Sequence, residues 1–353
     1  MIGIAALYIW LPEIDLMGDK RAEKVLEVYD TRAAGWAAGK KTFVIYSKYG
    51  WTNRTQDKAE FRNIYDGIIF KDGKVIIKKM KAGTVEVNSI KGETMVYGGS
   101  GGQSRTKALI DLKGDKRFSL LTCDQIRYNH GNNTAVFSGA PRLRSSSFTL
   151  ESAAMEVLYD QKISNLSGKV QMGTKSRTGT DTVVRSDMAR LSNDTYDTRF
   201  SNNVNVSQKT KKALCDFLTY TDSGGKLLLS GRVRVFFKNA SQMIKKERAE
   251  NLKNPEAKKA LAQETKLTCG LFELSTKNSN AKAEQDVVVT QRLRQARSDN
   301  AVYDDDKETK TLTGNVYLKK AKEWLKTKKV IVYLKTERFE ASGGVESLFN
   351  LKK

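Results

Sequence analysis

Few residues in this chain have the types and spacing that catalysis requires. The single histidine, His130, lies in the Asn- and Gly-rich segment 129–133, which predicts a solvated turn residue rather than a general base or a metal ligand. Carboxylates recur at Asp124, Asp187, Asp216 and Asp299. Their regular spacing favours a repeated structural role, in which each Asp bonds nearby backbone amides, over a cation-binding cluster. We therefore expect no catalytic residue, no metal site and no cofactor.

Three cysteines share one place in the same repeat. Cys123, Cys215 and Cys269 each directly precede the residue at the Asp position, where other units have Ser or Thr. This pattern indicates a small structural position and not a metal site. A disulfide between Cys215 and Cys269, which belong to consecutive units, stays open at this stage, and so does the redox compartment.

The elements that position these residues are seven repeat units between Thr122 and Ser347. Each unit has an anchor residue, and the anchors are Asp124, Ala153, Asp187, Asp216, Gly270, Asp299 and Lys328. Fifteen residues after each anchor comes a bend position, occupied by Gly139, Gly168, Asn202, Gly231, Gln285, Gly314 and Gly343. The anchor pairs 124 and 153, 187 and 216, 270 and 299, and 299 and 328 are 29 residues apart. Hydroxyl-glycine pairs such as Ser230-Gly231 predict that the backbone bends or bulges there.

Apolar residues stand at two-residue spacing on both sides of each landmark, as in a strand with one face turned inward. We predict that each unit is a pair of short strands with one apolar face. The candidate residues of that face are Tyr128, Phe137, Met155, Val157, Leu166, Val170, Phe200, Val204, Leu218, Tyr220, Leu229, Val233, Val235, Phe272, Val287, Tyr303, Leu312, Val316, Val330 and Val332. The spacing alone leaves two interpretations open, a packed core and an apolar groove.

The amino-acid composition of the chain restricts the classes of binding partner to expect. The chain has 353 residues and only three prolines, which suits long hydrogen-bonded sheets because Pro removes a ladder donor. Its net charge of +22 favours anionic partners such as nucleic acid, an anionic membrane or a phosphorylated glycolipid. Nucleic acid is disfavoured because the basic residues are dispersed and the aromatic residues fall mainly on the inward face. Alternatively, a Lys-rich surface only keeps a long sheet soluble and blunts its edges.

The chain divides into five segments by pattern. These are an apolar start (1–25), a linker with the first strands (26–105), repeats (106–240), a helical insertion (241–266) and further repeats (267–353). The insertion is predicted as helical because Asn254 precedes Pro255 and Glu256, a favourable helix start.

The sequence predicts different structures for two N-terminal segments, residues 1–11 and residues 13–60. The apolar run Met1–Leu11 is shorter than the roughly 20 residues that a membrane-spanning helix needs, and it lacks the flanks of a secretory signal. It is interpreted as the end of a membrane anchor, an atypical signal or a buried strand. Residues 13–60 are predicted as a charged connection with a short helix at Lys20–Tyr29. Beyond them, Asp72-Gly73 predicts a hairpin between alternating strands.

Two of the repeat units resemble a known family. Ser298-Asp299-Asn300-Ala301-Val302-Tyr303, followed by Thr311-Leu312-Thr313-Gly314-Asn315-Val316, and Phe339-Glu340-Ala341-Ser342-Gly343-Gly344-Val345 resemble the OstA-like repeats of the bacterial lipopolysaccharide-transport proteins LptA and LptC. The resemblance covers residues 122–348. Residues 59–95, with Lys71-Asp72-Gly73-Lys74, resemble the opening strands of the LptC type more weakly. An LptA-like, an LptC-like and a fused role all stay open.

The resemblance implies an all-β fold, an elongated β-jelly roll of successive antiparallel strands, with the short helical insertion as a departure. It implies a non-enzymatic carrier in the periplasm, anchored to the inner membrane by the N-terminal segment, whose apolar groove shelters lipopolysaccharide acyl chains on the way to the outer membrane. The implied partners are lipopolysaccharide or a similar anionic glycolipid, other jelly-roll transport proteins, an inner-membrane ABC transporter complex and further copies joined end to end. A structural adaptor that binds partners by strand addition, for example at Val330–Leu334, is the alternative.

Overall fold

The computed structural model describes residues 26–99, 105–113, 117–145, 148–175, 181–208, 211–221, 224–238, 262–275, 280–336 and 338–348. These ranges form 24 strands and no helix, so the all-β prediction is confirmed for them. The first strands are β1 (Leu26–Ala37), β2 (Lys40–Thr52), β3 (Lys58–Lys71), β4 (Lys74–Asn88), β5 (Glu93–Tyr97), β6 (Thr106–Ile110), β7 (Ser119–Cys123), β8 (Gln125–Asn129), β9 (Thr134–Ser138), β10 (Arg142–Arg144), β11 (Phe148–Glu151), β12 (Ala154–Leu158) and β13 (Ile163–Lys175). The others are β14 (Asp181–Ser192), β15 (Thr198–Gln208), β16 (Lys211–Thr221), β17 (Lys226–Phe237), β18 (Thr265–Ser275), β19 (Ala281–Gln291), β20 (Arg294–Asp304), β21 (Thr309–Lys320), β22 (Glu323–Tyr333), β23 (Arg338–Ser342) and β24 (Glu346–Leu348).

The chain consists of two compact units, and the boundary between them falls within β13 and β14. The first unit holds the chain up to Met172 together with Arg190–Asp194, and the second holds Gly173–Ala189 and the chain from Thr195. The repeat pattern does not mark this division, because repeat units lie on both sides of it.

In the first unit, β1 to β4 form an antiparallel meander. The second half of β4 then pairs with β5, and its first half pairs with β6. Two antiparallel ladders continue from there, one through β8, β9 and β12 and the other through β7 and β10. Apolar cross-strand pairs such as Val85–Val96 and Ile77–Ile110 are fully buried and form the core.

Strands β1, β2 and the start of β3 replace the linker that the sequence predicted before residue 60. Tyr29, the end of the predicted short helix, lies in β1 opposite Tyr49, while residues 20–25 of that helix lie outside the described residues. The sequence pattern was misleading because β1 buries only Gly35 and exposes charged side chains such as Asp30, which pairs with Lys48. A strand whose side chains are at most half-buried gives little hydrophobic alternation to recognise.

The predicted Asp72-Gly73 hairpin is confirmed. Strand β3 ends at Lys71 and β4 begins at Lys74, and the two loop residues have φ angles of 50° and 79°. Two positive φ angles are typical of the type I′ turn that matches the twist of antiparallel strands.

In the second unit, β15 to β22 form an antiparallel meander. On its other side β22 pairs with β23 and with β24. The prediction of an open strand at Val330–Leu334 is therefore wrong, because most of that segment belongs to β22, which has partners on both sides. At this end of the described sheet, β23 and β24 are the strands with a partner on one side only.

Each bend position of the repeat begins a pair of residues with positive φ. The pairs are Gly139-Ala140, Gly168-Lys169, Asn202-Asn203, Gly231-Arg232, Gln285-Asp286, Gly314-Asn315 and Gly343-Gly344. Between the partners Ser201–Phe217 and Val204–Cys215, two such residues face the single residue Asp216, which is a β-bulge. The predicted bulges are confirmed.

The prediction of short strand pairs is wrong for the second unit. From β14 to β22 each strand is a continuous run of 11 or 12 residues. The bulge kinks such a strand without reversing it. Glycine marks both bulges and chain reversals, since both require positive φ, and the sequence pattern therefore could not separate them.

Three of the four aspartate anchors bond the second residue of the neighbouring bulge, whereas Asp124 accepts a hydrogen bond from Arg105. The pairs are Asp187–Asn203 (2.7 Å), Asp216–Arg232 (2.6 Å) and Asp299–Asn315 (3.0 Å). Their partners are side chains and not the backbone amides that the sequence analysis expected. The Arg232 guanidinium lowers the pKa of Asp216, so this anchor stays ionised.

Two predicted segments lie wholly or mainly outside the described residues. These are the apolar start, 1–25, with its interpretation as an anchor, and residues 241–261 of the helical insertion. The predicted end of the insertion is wrong, because Thr265 and Lys266 already belong to β18. Among the described residues, no helix has the length and hydropathy needed to cross a membrane.

The Gly231→Ala variant tests the bulge. A Cβ at Gly231, where φ is 74°, would lie 2.6 Å from Asp216 Oδ2, so strain from the backbone adds to a clash with the anchor. We expect a loss of about 2–3 kcal/mol in the free energy of unfolding, measured by urea denaturation. The control Gly73→Ala has a similar φ of 79° with no atom within 4 Å of the added Cβ, and should cost about 1 kcal/mol. Equal losses would contradict the role of the anchor.

Candidate functional site

The twenty candidate residues lie on the inward face of both units. Sixteen are buried, namely Tyr128, Phe137, Met155, Val157, Leu166, Val170, Phe200, Val204, Leu218, Leu229, Val233, Val235, Phe272, Val287, Val316 and Val330. Tyr220, Tyr303, Leu312 and Val332 are half-buried. In the first unit the face is closed, with Tyr128 and Phe137 fully buried.

Cross-strand register joins the candidates of the second unit into continuous rows. The central row, in strand order from β15 to β23, is Phe200, Leu218, Leu229, Phe272, Ala283, Ala301, Leu312, Val330 and Ala341. A second row on the other side of the bulges contains Val235, Leu267, Val289, Ala296, Leu318 and Leu325. Sequence spacing predicted the residues of these columns, and the register shows that they are direct neighbours.

Burial of the central row decreases toward the C-terminal strands. Phe200 and Leu218 are fully buried, whereas Ala301 and Leu312 are half-buried. Around the small buried cluster of Val316, Leu325 and Val330, the neighbours Leu312, Leu318, Val332 and Ala341 are only partly covered. The inward face is therefore a packed core at one end of the second unit and a partly exposed apolar surface at the other. We call the residues of β20 to β23 on this face the C-terminal apolar surface.

A lysine interrupts the third row of the inward face. This row contains Ala281, Tyr303, Lys310, Val332 and Phe339 as successive cross-strand partners. The Nζ atom of Lys310 lies 6.0 Å from the centre of the Tyr303 ring, and burial lowers the pKa of this lysine. Lys310 was not among the residues predicted from the sequence. A signal was present, since Lys310 stands two residues before Leu312 in a column that other units fill with apolar or small residues.

The cysteine column packs against the valines that follow the bulges. Val204 faces Cys215 and Val233 faces Cys269 across the sheet, and both thiols are buried. All three cysteines are free thiols, so the open alternative of a Cys215–Cys269 disulfide is not realised. Burial raises the pKa of Cys215 to about 12 and that of Cys269 to about 11, which keeps both protonated at neutral pH.

His130 lies in the predicted turn, but it is half-buried rather than solvated. Its Nε2 atom lies 3.0 Å from the hydroxyl of Thr94, which is fully buried, and its ring packs edge-on against Tyr128 at 4.6 Å. Burial lowers the pKa of His130 to about 4, so the ring is neutral at pH 7. In the described residues no group of three or more His, Cys, Asp or Glu side chains is placed to hold a metal ion. His130 is therefore a packing residue whose side chain has a hydrogen-bonded contact with Thr94.

Comparison with known proteins agrees with the resemblance noted in the repeats. Residues 254–338 match the family model described as LptA/(LptD N-terminal domain) LPS transport protein. The matched segment contains β18 to β22 and most of the C-terminal apolar surface. No curated protein matches the chain significantly. The match supports the lipopolysaccharide-transport, OstA-like family and does not distinguish the LptA type from the LptC type.

His130→Gln tests the buried imidazole through the pH dependence of stability. Because the folded-state pKa of about 4 lies below the ordinary value of 6.5, the unfolded chain takes up a proton first as the pH falls. The wild-type protein should lose up to about 3 kcal/mol of unfolding free energy from this group between pH 6.5 and pH 4. Urea denaturation across this range should show a shallower decline for the variant. Parallel curves would rule out this contribution, since the chain has no other histidine.

Proposed function

We propose that this chain is a non-enzymatic carrier that shelters the acyl chains of lipopolysaccharide, or of a similar anionic glycolipid, during transport through the periplasm to the outer membrane. One observation carries the proposal. The central row and the second row of inward apolar residues are unbroken across β18 to β22, the strands that match the lipopolysaccharide-transport family model. We further propose that these strands form the β-jelly roll of that family.

The physical requirement for such a carrier is a continuous apolar surface. Exposure of a 12-carbon acyl chain to water costs about 10 kcal/mol, at roughly 0.8 kcal/mol per methylene. A surface that is interrupted at each strand would leave part of this cost uncompensated. The C-terminal part of the central row meets the requirement, because each strand from β20 to β23 contributes an apolar residue to it.

We assign the acyl chains to the C-terminal apolar surface and not to the whole inward face. Phe200 and Val233 have at most 1% relative exposure and are already covered by other side chains, so they present little surface to a lipid. Leu312 and Val332 are partly exposed and flank the buried Val330. An acyl chain that covers them would bury apolar area that the protein alone leaves in contact with water.

We place the anionic headgroup of the proposed lipid beside Lys310, on the basis of charge. Lys310 lies on the inward face between Tyr303 and Val332, so a lipid on this surface would have a cation beside its apolar contacts. A phosphate next to Lys310 would offset the desolvation that lowers the pKa of this lysine. The proposed ligand is therefore both acylated and anionic, in line with the net charge of +22.

The proposed partners include other jelly-roll transport proteins, an inner-membrane ABC transporter complex and further copies of this chain. Strands β23 and β24 have a sheet partner on one side only in the described residues, and strand addition there would extend the sheet. Phe339 and Leu348, exposed by 58% and 51%, would be covered by the added strand.

Site-specific photo-crosslinking tests the lipid surface. A photoreactive residue at Leu312 or at Val332 should form an adduct with lipopolysaccharide, because both side chains are partly exposed on the inward face. The same residue at Phe200 or Val233 should form at least about tenfold less adduct. Adduct yield would be measured by gel shift and mass spectrometry.

Two controls make this test decisive. A photoreactive residue at Lys212, which is exposed on a strand of the same unit, reports non-specific adducts. Lys310→Met should reduce adduct formation at Leu312, while Lys310→Arg should preserve it, because only the charge is common to Lys and Arg. Equal yields at Leu312, Phe200 and Lys212 would exclude the lipid surface.

End-to-end association is tested at the terminal strands. The double variant Phe339→Lys/Leu348→Lys adds charge to apolar residues of β23 and β24 and should abolish concentration-dependent association in sedimentation velocity. The control Leu293→Lys/Val302→Lys changes exposed apolar residues away from these strands and should associate like the wild type. A wild-type chain that stays monomeric at all concentrations would remove self-association from the proposal.

A further inference from the structure

A cleft on the exposed face of the first unit gathers four cationic side chains. It has a volume of about 580 Å³, and its lining includes Lys48 of β2, Lys81 of β4, Lys107 of β6 and Arg105, which directly precedes β6. All four residues are exposed, and no carboxylate lines the cleft. This surface is separate from the C-terminal apolar surface, which belongs to the second unit.

Register explains how the cleft arises. Lys81 and Lys107 are direct cross-strand partners, and the ladder between β4 and β6 shifts register between Lys78 and Lys81. Asn63, on the neighbouring strand β3, has a φ of 53°, and the ladder of β3 with β2 is also irregular near it. Irregularities in neighbouring ladders spread the side chains apart and open the cleft.

Two of the four cations are neutralised within the protein. Lys48 donates to Asp30 at 2.6 Å. Arg105 donates to Asp124 at 2.9 Å and to the carbonyl of Ala140 at 2.6 Å. These two side chains are thereby held in place at the border of the cleft.

The remaining pair is not neutralised by any described residue. Neither Lys81 nor Lys107 has an ion-pair partner in the described part of the chain, although the two face each other across the ladder. Like charges directly opposite each other destabilise a sheet, and a bound anion would relieve this repulsion. In the second unit, by contrast, the carboxylates of Asp187, Asp216 and Asp299 pair with Asn or Arg side chains at the bulges.

Neutral side chains beside the two lysines indicate which kind of molecule the bound anionic group belongs to. Tyr65 is 48% exposed in the cleft, and Lys48 Nζ lies 5.9 Å from the centre of its ring. Asn63, also exposed in the lining, offers an amide donor and acceptor. The volume is within the range of about 300–1,000 Å³ that is usual for small-molecule sites.

We propose that this cleft binds the phosphate of a phosphorylated sugar, with Lys81 and Lys107 on the phosphate and Tyr65 and Asn63 against the sugar ring. The sugar phosphate is either a soluble metabolite or the headgroup of a glycolipid, and both have the same chemistry. The site does not depend on the proposed transport function, since it uses none of the residues assigned to the acyl chains.

Calorimetric titration of the full chain with glucose 6-phosphate, glucose and inorganic phosphate tests the site. Glucose 6-phosphate should bind more tightly than glucose or inorganic phosphate alone. Lys81→Gln/Lys107→Gln should weaken its binding by about tenfold or more. Tyr65→Ala should weaken the binding of glucose 6-phosphate and leave that of inorganic phosphate unchanged.

The matched control removes the same charge elsewhere. Lys212→Gln/Lys329→Gln lowers the net charge by two at exposed strand positions of the second unit and should bind like the wild type. A second readout is Lys107→Glu, which places opposite charges on the register pair. This variant should raise Tm and abolish phosphate binding. Equal losses in both double variants, or no preference for the phosphorylated sugar, would overturn the proposal.

A competition experiment distinguishes the two sources of the sugar phosphate, a glycolipid headgroup and a soluble metabolite. Lipopolysaccharide should displace glucose 6-phosphate from the wild type, and phosphatase-treated lipopolysaccharide should not, if the ligand is a glycolipid headgroup. Failure of both to compete, with glucose 6-phosphate still bound, assigns the cleft to soluble sugar phosphates. Cross-links at Leu312 and Val332 report on the acyl chains alone, so failure of one proposal is distinguishable from failure of the other.

Discussion

The two-residue bulge opposite each anchor is the constraint on which the rest of the repeat depends. At each bend position the backbone takes two consecutive positive φ angles, and in the ladders of the second unit two residues face one. Because side chains alternate along a strand, an unpaired extra residue would normally turn the apolar positions to the wrong face. The bulge absorbs that residue at the same place in successive strands, so the apolar columns on both sides of it stay inward.

The small side-chain column and the aspartate anchors follow from the same constraint. Cys215 and Cys269 are small enough to face the valines that come directly after the bulges. Asp216 lies over the bulge glycine and holds Arg232 by its carboxylate. Residue types that suggest redox or carboxylate chemistry therefore stabilise a kinked sheet, and the half-buried, neutral His130 likewise contributes to packing.

The proposed carrier function depends on where this repeated packing is incomplete. The inward face is closed in the first unit and partly exposed in β20 to β23, although the same columns supply both. A carrier needs that combination, because a fully closed face is only a core and a fully open face would not keep its sheet in register. Exposed charges also differ in whether they are paired. Asp187, Asp216 and Asp299 pair with bulge residues of the second unit, whereas no described carboxylate pairs with Lys81 or Lys107.

The sequence by itself determined the strand class, the bulge positions and the inward columns, because all three come from local rules of two-residue alternation and glycine conformation. It also determined the family resemblance, which the match over residues 254–338 supports. Only the tertiary structure decided which columns become continuous rows, that β1, β2 and the start of β3 are strands, and that Lys310 faces inward between Tyr303 and Val332. The burial of each residue could not be predicted from the sequence either. Phe200 and Leu312 occupy the same column of the repeat, yet Phe200 is fully buried and Leu312 is half-buried. Local patterns specify which face of a strand a side chain lies on. Its burial and its ion pairs depend on residues that are far away in the chain.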